Sequence, residues 1–292
     1  MRKALLLTRA NVQAYLDSIR QEGKSSNTVK KYTRDLGVFE EFVFGSEAGS
    51  RKVLCVKPVT QPTIAAYRQY LQANYSPTSA NSMLAPLNNL LKFLGRADLC
   101  ARLFKVQRRI FAAADRELSR KDYEKLIEAA SSTGKLHLRL IMETMAATGM
   151  RVSEIRYVTV ESVGDGKVEF CSKGKIREVY FPQKLRKNLL NYARSKGITE
   201  GPIFRTRCGN PVDRSNLYHD MKKLAEEAGV SEKKVFPHNF RHLFARIFYE
   251  KEKDIVALAD ILGHSNLQTT RIYTMTSVSE HIDKLEHLGL VS

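Results

Sequence analysis

Leu262-Gly263-His264-Ser265-Asn266-Leu267-Gln268-Thr269-Thr270-Arg271-Ile272-Tyr273 places a histidine directly after a glycine and a tyrosine nine positions later. Gly263 suits a helix C-terminus, because a residue without Cβ takes positive φ without a clash. Ser265 followed by Gln268 has capping-box spacing, which predicts a short new helix ending near Tyr273. A tyrosine there, behind a histidine at a helix junction, can accept a phosphoryl group. Taken alone, a surface tyrosine beside a buried histidine is the better reading. The decision rests on whether the chain supplies the other parts of a phosphate-handling site.

The chain has 292 residues, 43% of them hydrophobic, with 16 glycines and 8 prolines, which predicts a mostly helical protein of two domains. Its net charge is +17, and more than half of that excess falls in residues 1–110. Such a balance calls for a polyanionic partner, most simply nucleic acid. An anionic membrane surface competes, but no run of 18 apolar residues and no signal-peptide pattern is present. Cys55, Cys100, Cys171 and Cys208 are too far apart for a zinc site or a disulfide framework, so they read as reduced thiols of a cytoplasmic protein. No Walker-type glycine loop or dinucleotide fingerprint appears, and no cofactor is expected.

Apolar spacing predicts helices over 8–22, with Val12, Tyr15, Leu16 and Ile19 inward, then over 28–44, 60–74 and 77–95, the last kinked at Pro86. A short segment over 97–104 continues it, and residues 45–58 read as a loop. The expectation is a basic helical domain over 1–106, a linker over 107–117 and a second domain over 118–292. Lys30, Lys31, Arg34, Arg68, Lys92 and Arg96, with Arg108 and Arg109 of the linker, are candidates for phosphate contacts. For any one of them a solvated surface charge is the simpler reading, and only the summed excess argues for DNA. In the second domain, Val168 and Phe170, then Val179 and Phe181, alternate as in a β-hairpin, and helices are expected on either side of it. The fold class is therefore mainly α with a small antiparallel β-sheet.

Four places carry chemistry. Arg151 follows the helix stop Gly149 and is expected to open a new helix, with Glu154 three residues on to orient it. A guanidinium held this way suits bidentate binding of phosphate oxygens, although a structural Arg–Glu pair is common. On a helix, His238, Arg241, His242 and Ala245 share one face, while Phe240, Leu243, Phe244 and Ile247 anchor the opposite one. Lys173 in the hairpin turn can reach a neighbouring groove as a cation or proton donor, and Lys175 is its rival. His264 and Tyr273 complete the set.

The order Arg, hairpin Lys, His-x-x-Arg, Gly-His, Tyr behind a basic helical domain resembles the tyrosine recombinase (phage integrase) family, most closely its Xer-type members. The resemblance spans nearly the whole chain and is most specific in Ala147–Glu154, Pro237–His242 and Leu262–Thr274. It implies a core-binding domain and a catalytic domain that form a C-shaped clamp on duplex DNA. Arg151 and Arg241 would bind the non-bridging oxygens of the scissile phosphate, and Lys173 would protonate the leaving 5′ oxygen. His238 would act as base toward the tyrosine, His264 would hydrogen-bond the phosphate, Tyr273 would be the nucleophile and Glu154 a support. The chain is expected to be a monomer in solution and a homo-tetramer on two sites, with a second recombinase or accessory protein as a further partner. The apolar stripe Val278, Ile282, Leu285 and Leu288 packs either on its own domain or on a neighbouring subunit.

The tasks compatible with this set are dimer resolution and the integration or resolution of a mobile element. A type IB topoisomerase-like enzyme and a non-catalytic DNA-binding accessory protein are the other classes. The full Arg-Lys-His-Arg-His-Tyr set argues against the last. A tyrosine on a brief helix between two breaks can be repositioned, so this segment is a place where cutting could be switched.

Overall fold

The computed structural model describes residues 5–45, 57–106, 116–172, 175–206, 209–264 and 266–274. Its chain divides into two compact units, Met1–Arg108 and Arg109–Ser292.

Four helices build the first unit: α1 (Arg9–Gln21), α2 (Ser26–Phe44), α3 (Gln61–Asn74) and α4 (Pro77–Phe93). Each begins where the sequence offers a polar cap. Thr8 forms a capping box with Asn11, Ser25 accepts from the Thr28 backbone, and Ser76 accepts from that of Ser79. The periodic residues Val12, Tyr15, Leu16 and Ile19 of α1 are buried together with Leu84, Leu87, Leu90 and Leu91 of α4. Each such side chain contributes about 1.5–3 kcal/mol by leaving water.

Helix α4 continues through Pro86, whose ring is buried in its core face. Proline cannot donate to the carbonyl four residues back. That carbonyl, Ser82 O, instead accepts from Lys31 Nζ of α2 at 3.0 Å. The stretch after α4 is only a 3-10 turn over Ala97–Leu99, shorter than the 97–104 segment expected. Residues 5–7, ahead of the first expected helix, and 57–59, at the end of the expected loop over 45–58, pair as antiparallel strands β1 (Leu5–Leu7) and β2 (Lys57–Val59). Strands of three residues are too short for alternation to reveal them.

The second unit contains α5 (Arg120–Ser132), α6 (Leu136–Thr148), α7 (Val160–Asp165), β3 (Lys167–Ser172), β4 (Lys175–Tyr180), α8 (Gln183–Ser195), α9 (Arg214–Glu227), α10 (Pro237–Glu252), α11 (Ile255–Leu262) and α12 (Leu267–Thr270). Strands β3 and β4 pair antiparallel from Lys167↔Tyr180 to Ser172↔Lys175, with Val168, Phe170, Val179 and Phe181 turned into the core. Helix α6 lies against α10 and stops at Gly149, in the left-handed conformation with φ 65.

Two local expectations are corrected. Arg151 opens no α-helix: a turn carries it into a 3-10 segment over Ile155–Tyr157, because Glu154 folds back onto the Arg151 backbone N–H. The cap of α12 is Asn266, whose side chain accepts from the Gln268 N–H, and Ser265 lies outside the described residues. Helix α12 is a single turn, so Tyr273 sits on the 3-10 segment Arg271–Thr274 that follows it. The stripe from Val278 to Leu288 lies outside the described residues. Among the described residues, no helix is long and apolar enough to cross a membrane.

Candidate active site

Arg241 is the centre of the site and the largest fully buried side chain, at 1% exposure. Sequence spacing places it with His238, His242 and Ala245 on a polar face of α10. Around Arg241 that face is covered by the turn after α11, while His238 stays exposed. Arg241 Nη1 donates to the Gly149 carbonyl at 2.6 Å, and Nη2 to the Leu262 carbonyl at 2.7 Å. Both acceptors belong to helix C-termini, where unpaired carbonyls gather partial negative charge. Burial pulls the Arg241 pKa down to about 10, helped by the charges of Arg151 and Arg177, so the guanidinium remains protonated at neutral pH.

Gly149 makes this approach possible. A Cβ at that position would lie 2.7 Å from Phe244 Cδ1 and 2.9 Å from Leu262 Cδ2. Gly149→Ala is therefore expected to cost about 2–4 kcal/mol, from positive φ and overpacking together. A denaturant midpoint equal to that of the wild type would contradict the close approach.

His264 contacts Arg241 Nη2 through Nε2 at 2.9 Å and Thr270 Oγ1 through Nδ1 at 2.9 Å. A guanidinium only donates, so Nε2 must accept and the ring proton sits on Nδ1, directed at Thr270. The imidazole is thus neutral. Burial, then the charge of Arg241, pushes its pKa down to about 4. His238 is likewise held below its ordinary value by burial, then by Arg241 and Arg151.

Arg151 and Glu154 meet as the i,i+3 spacing predicts, Nη1 to Oε1 at 2.8 Å, and Glu154 is buried. Arg151, His238 and Arg241 line one cleft of about 610 Å³, together with Arg156, Arg214 and Tyr218. Two guanidiniums and a neutral imidazole converging there suit a phosphodiester.

Tyr273 is 5% exposed and packs with Ala245, Leu258 and Leu262. It lines a separate cavity of about 20 Å³ with Glu117, His242 and Arg246. Two imidazoles flank it: His242, edge to face at 4.8 Å between centroids, and His264, stacked at 6.2 Å, while His238 lies 4.4 Å from His242. His242 was placed on this face by sequence without a role. Burial raises the Tyr273 pKa despite the opposing effect of Arg241, so the phenol stays protonated in this setting.

Burial followed by the charges of His238 and Arg241 also pushes His242 down to about 4. In an unfolded chain these imidazoles take up protons near 6.5. Between 6.5 and about 4 the unfolded chain holds more protons, so the stability is complete above that window and is lost as pH falls through it. The melting midpoint is expected to drop by roughly 5 °C between pH 7 and 5. His242→Phe should flatten part of that slope.

Arg177 of β4 was missed. It is 5% exposed and joins Glu154, with Nη1 to Oε2 at 2.5 Å. A signal was available, because residues two apart on a strand share a face and Val179 and Phe181 point inward. A charge in line with them had to have a buried partner. Lys173 lies outside the described residues, and Lys175 begins β4.

Several candidate DNA-contacting cations have partners within the protein. Lys31 and Arg34 both pair with buried Asp35. Arg68 stacks on Phe104 at 4.0 Å and donates to the Arg102 carbonyl, and Arg96 pairs with Asp98. Lys30 and Lys92 are exposed, and Arg108 and Arg109 lie outside the described residues.

This fold and this set of residues define a class, and comparison with known proteins agrees. The model of the Phage integrase family matches residues 116–280, and that of the Phage integrase N-terminal SAM-like domain matches residues 12–98. The chain belongs to the phage integrase family. The tyrosine recombinase XerA of Thermococcus kodakarensis is 30% identical over 284 residues, covering 94% of this chain and 92% of its own. The tyrosine recombinase XerD of Vibrio cholerae is 29% identical over 290 residues, covering 94% of each chain. The fold is shared with a lambda integrase tetramer bound to a Holliday junction, at TM-score 0.71 and 17% identity, covering 93% of this chain and 78% of that one.

Proposed function

We propose that this chain is a site-specific DNA recombinase that cuts and rejoins duplex strands through a 3′-phosphotyrosyl intermediate. The observation that carries this reading is the cleft where Arg151, Arg241 and His238 converge beside Tyr273. In the reaction, Tyr273 Oη attacks phosphorus and the bond to the 5′ oxygen breaks. The phenol proton passes to a neutral imidazole, His238 by resemblance, with His242 lying between them. The 5′ oxygen takes a proton from Lys173, or from its rival Lys175. Arg151 and Arg241 stabilise the charge that develops on the non-bridging oxygens, and His264, by resemblance, joins them once its ring exchanges its present partners for the phosphate. A 5′-hydroxyl of the partner strand then attacks the phosphotyrosine and releases Tyr273, so no nucleotide is consumed.

Tyr273 is seated against His242 in its own small cavity, and the brief α12 is the segment that can carry it toward a phosphate in the cleft. Four copies on two DNA sites, passing through a Holliday junction, fit the names and assemblies of the relatives. The test is incubation of the protein with two labelled copies of the duplex it selects from a random pool. Exchanged products are expected. Relaxation of supercoiled DNA without exchange would favour a topoisomerase, and binding alone an accessory protein.

A further inference from the structure

Each oxygen of the Glu154 carboxylate is in use. Oε1 accepts from Arg151 Nη1, and Oε2 accepts from the Arg151 backbone N–H at 2.8 Å and from Arg177 Nη1. The rest of the Arg177 fork is also committed, with Nε and Nη2 donating to the Ile261 carbonyl at 3.2 and 2.9 Å. At 5% exposure, Arg177 has all three guanidinium nitrogens engaged within the protein, through three of its five N–H groups. What it does is join three elements that are distant in sequence: the turn that carries Arg151, strand β4 and the C-terminus of α11.

Gly263 closes the joint. A Cβ there would lie 2.8 Å from Arg177 Cδ, so the stem of Arg177 occupies the space that a side chain before His264 would need. The next carbonyl along, that of Leu262, is held by Arg241. Adjacent carbonyls at the end of α11 are thus fastened by two buried guanidiniums, directly before the histidine that contacts Arg241.

We infer that Arg177 is a positioning residue that locks Arg151, through Glu154, and the His264 turn, through Ile261, into one frame around the phosphate cleft. The inference rests on the recombinase reading for the reaction that this frame serves. A planar fork satisfies a carboxylate and a carbonyl on different elements at once, which a lysine ammonium does with poorer geometry. Removing the guanidinium alone leaves Glu154 buried with fewer partners, and Arg151 is then free to shift.

The test uses the full chain and a duplex of the selected sequence with a 5′-bridging phosphorothiolate, whose leaving group keeps slow variants measurable. Arg177→Lys is expected to lower the single-turnover rate of covalent adduct formation about tenfold or more, as loss of an outer partner does at other sites. DNA affinity should change less than about threefold, since no phosphate contact is lost. In an Arg151→Ala background the same change should cost less than it does in the wild-type chain, because one of the two groups it positions is gone. An equal loss in both backgrounds would overturn the inference, as would a wild-type rate in Arg177→Lys. Should Arg177→Lys fail to fold, Glu154→Gln combined with Arg177→Gln removes both buried charges, and it must show the same cleavage loss. Absence of adduct from the wild-type chain would instead overturn the recombinase reading itself.

Discussion

Replacing Tyr273 by phenylalanine is expected to abolish the covalent protein–DNA adduct while leaving the fold and DNA binding intact. Phenylalanine keeps the ring that packs with Ala245, Leu258 and Leu262 and faces His242, so the cluster loses no apolar contact. Only the hydroxyl goes, and with it the proposed nucleophile. The loss should exceed about 10⁴-fold, the scale on which removal of a catalytic nucleophile acts. On a nicked suicide duplex, denaturing electrophoresis reads the adduct directly, and a gel-shift reads binding. Adduct at the wild-type level would remove Tyr273 from the role. A large loss of binding would mean instead that the hydroxyl holds the structure.

The second large effect is expected at Arg241, where stability and cleavage fall together. Arg241→Ala leaves the Gly149 and Leu262 carbonyls without the donors they have now and opens a cavity under α10. Each buried carbonyl left unpaired costs about 1–3 kcal/mol. Cleavage should fall by about 10²–10³ beyond any fraction unfolded, the scale for loss of a single oxyanion donor. Arg241→Lys separates the two effects. A point charge can hold one carbonyl and keep part of the stability, but it does not reproduce the fork that also meets His264. Thermal melting and single-turnover cleavage measured on both variants decide. Loss of stability with an unchanged rate per folded molecule would make Arg241 purely structural.

The frame around these residues explains why the site tolerates so many cations. Arg151, Arg177 and Arg241 repel one another, yet only Glu154 among the described residues is shared between two of them. The remaining compensation comes from the carbonyls of Gly149, Ile261 and Leu262, all at helix ends. Protonated imidazoles would add to the repulsion, and burial with these charges keeps His242 and His264 neutral down to about 4. A dianionic demand is thereby left for the substrate to meet. That is the condition under which a phosphate binds and its transition state is stabilised.

Much of this was legible in the sequence, and the reason is local. The apolar stripes of α1, α4 and α10, the inward residues of the hairpin and the stops at Gly149 and Gly263 depend on neighbours within a turn or a strand pair. The order of Arg151, Lys173, His238, Arg241, His264 and Tyr273 is read along the chain, and it marked the family before any contact was known. Tertiary structure alone decided which of these groups touch. Arg177 meets a carbonyl 84 positions away, and Arg241 meets one 92 positions away. His242 rather than His238 faces Tyr273, and Lys31 serves the carbonyl that Pro86 left open. A side chain's periodicity reports which face it lies on, but its partner is set by where distant backbone comes to rest.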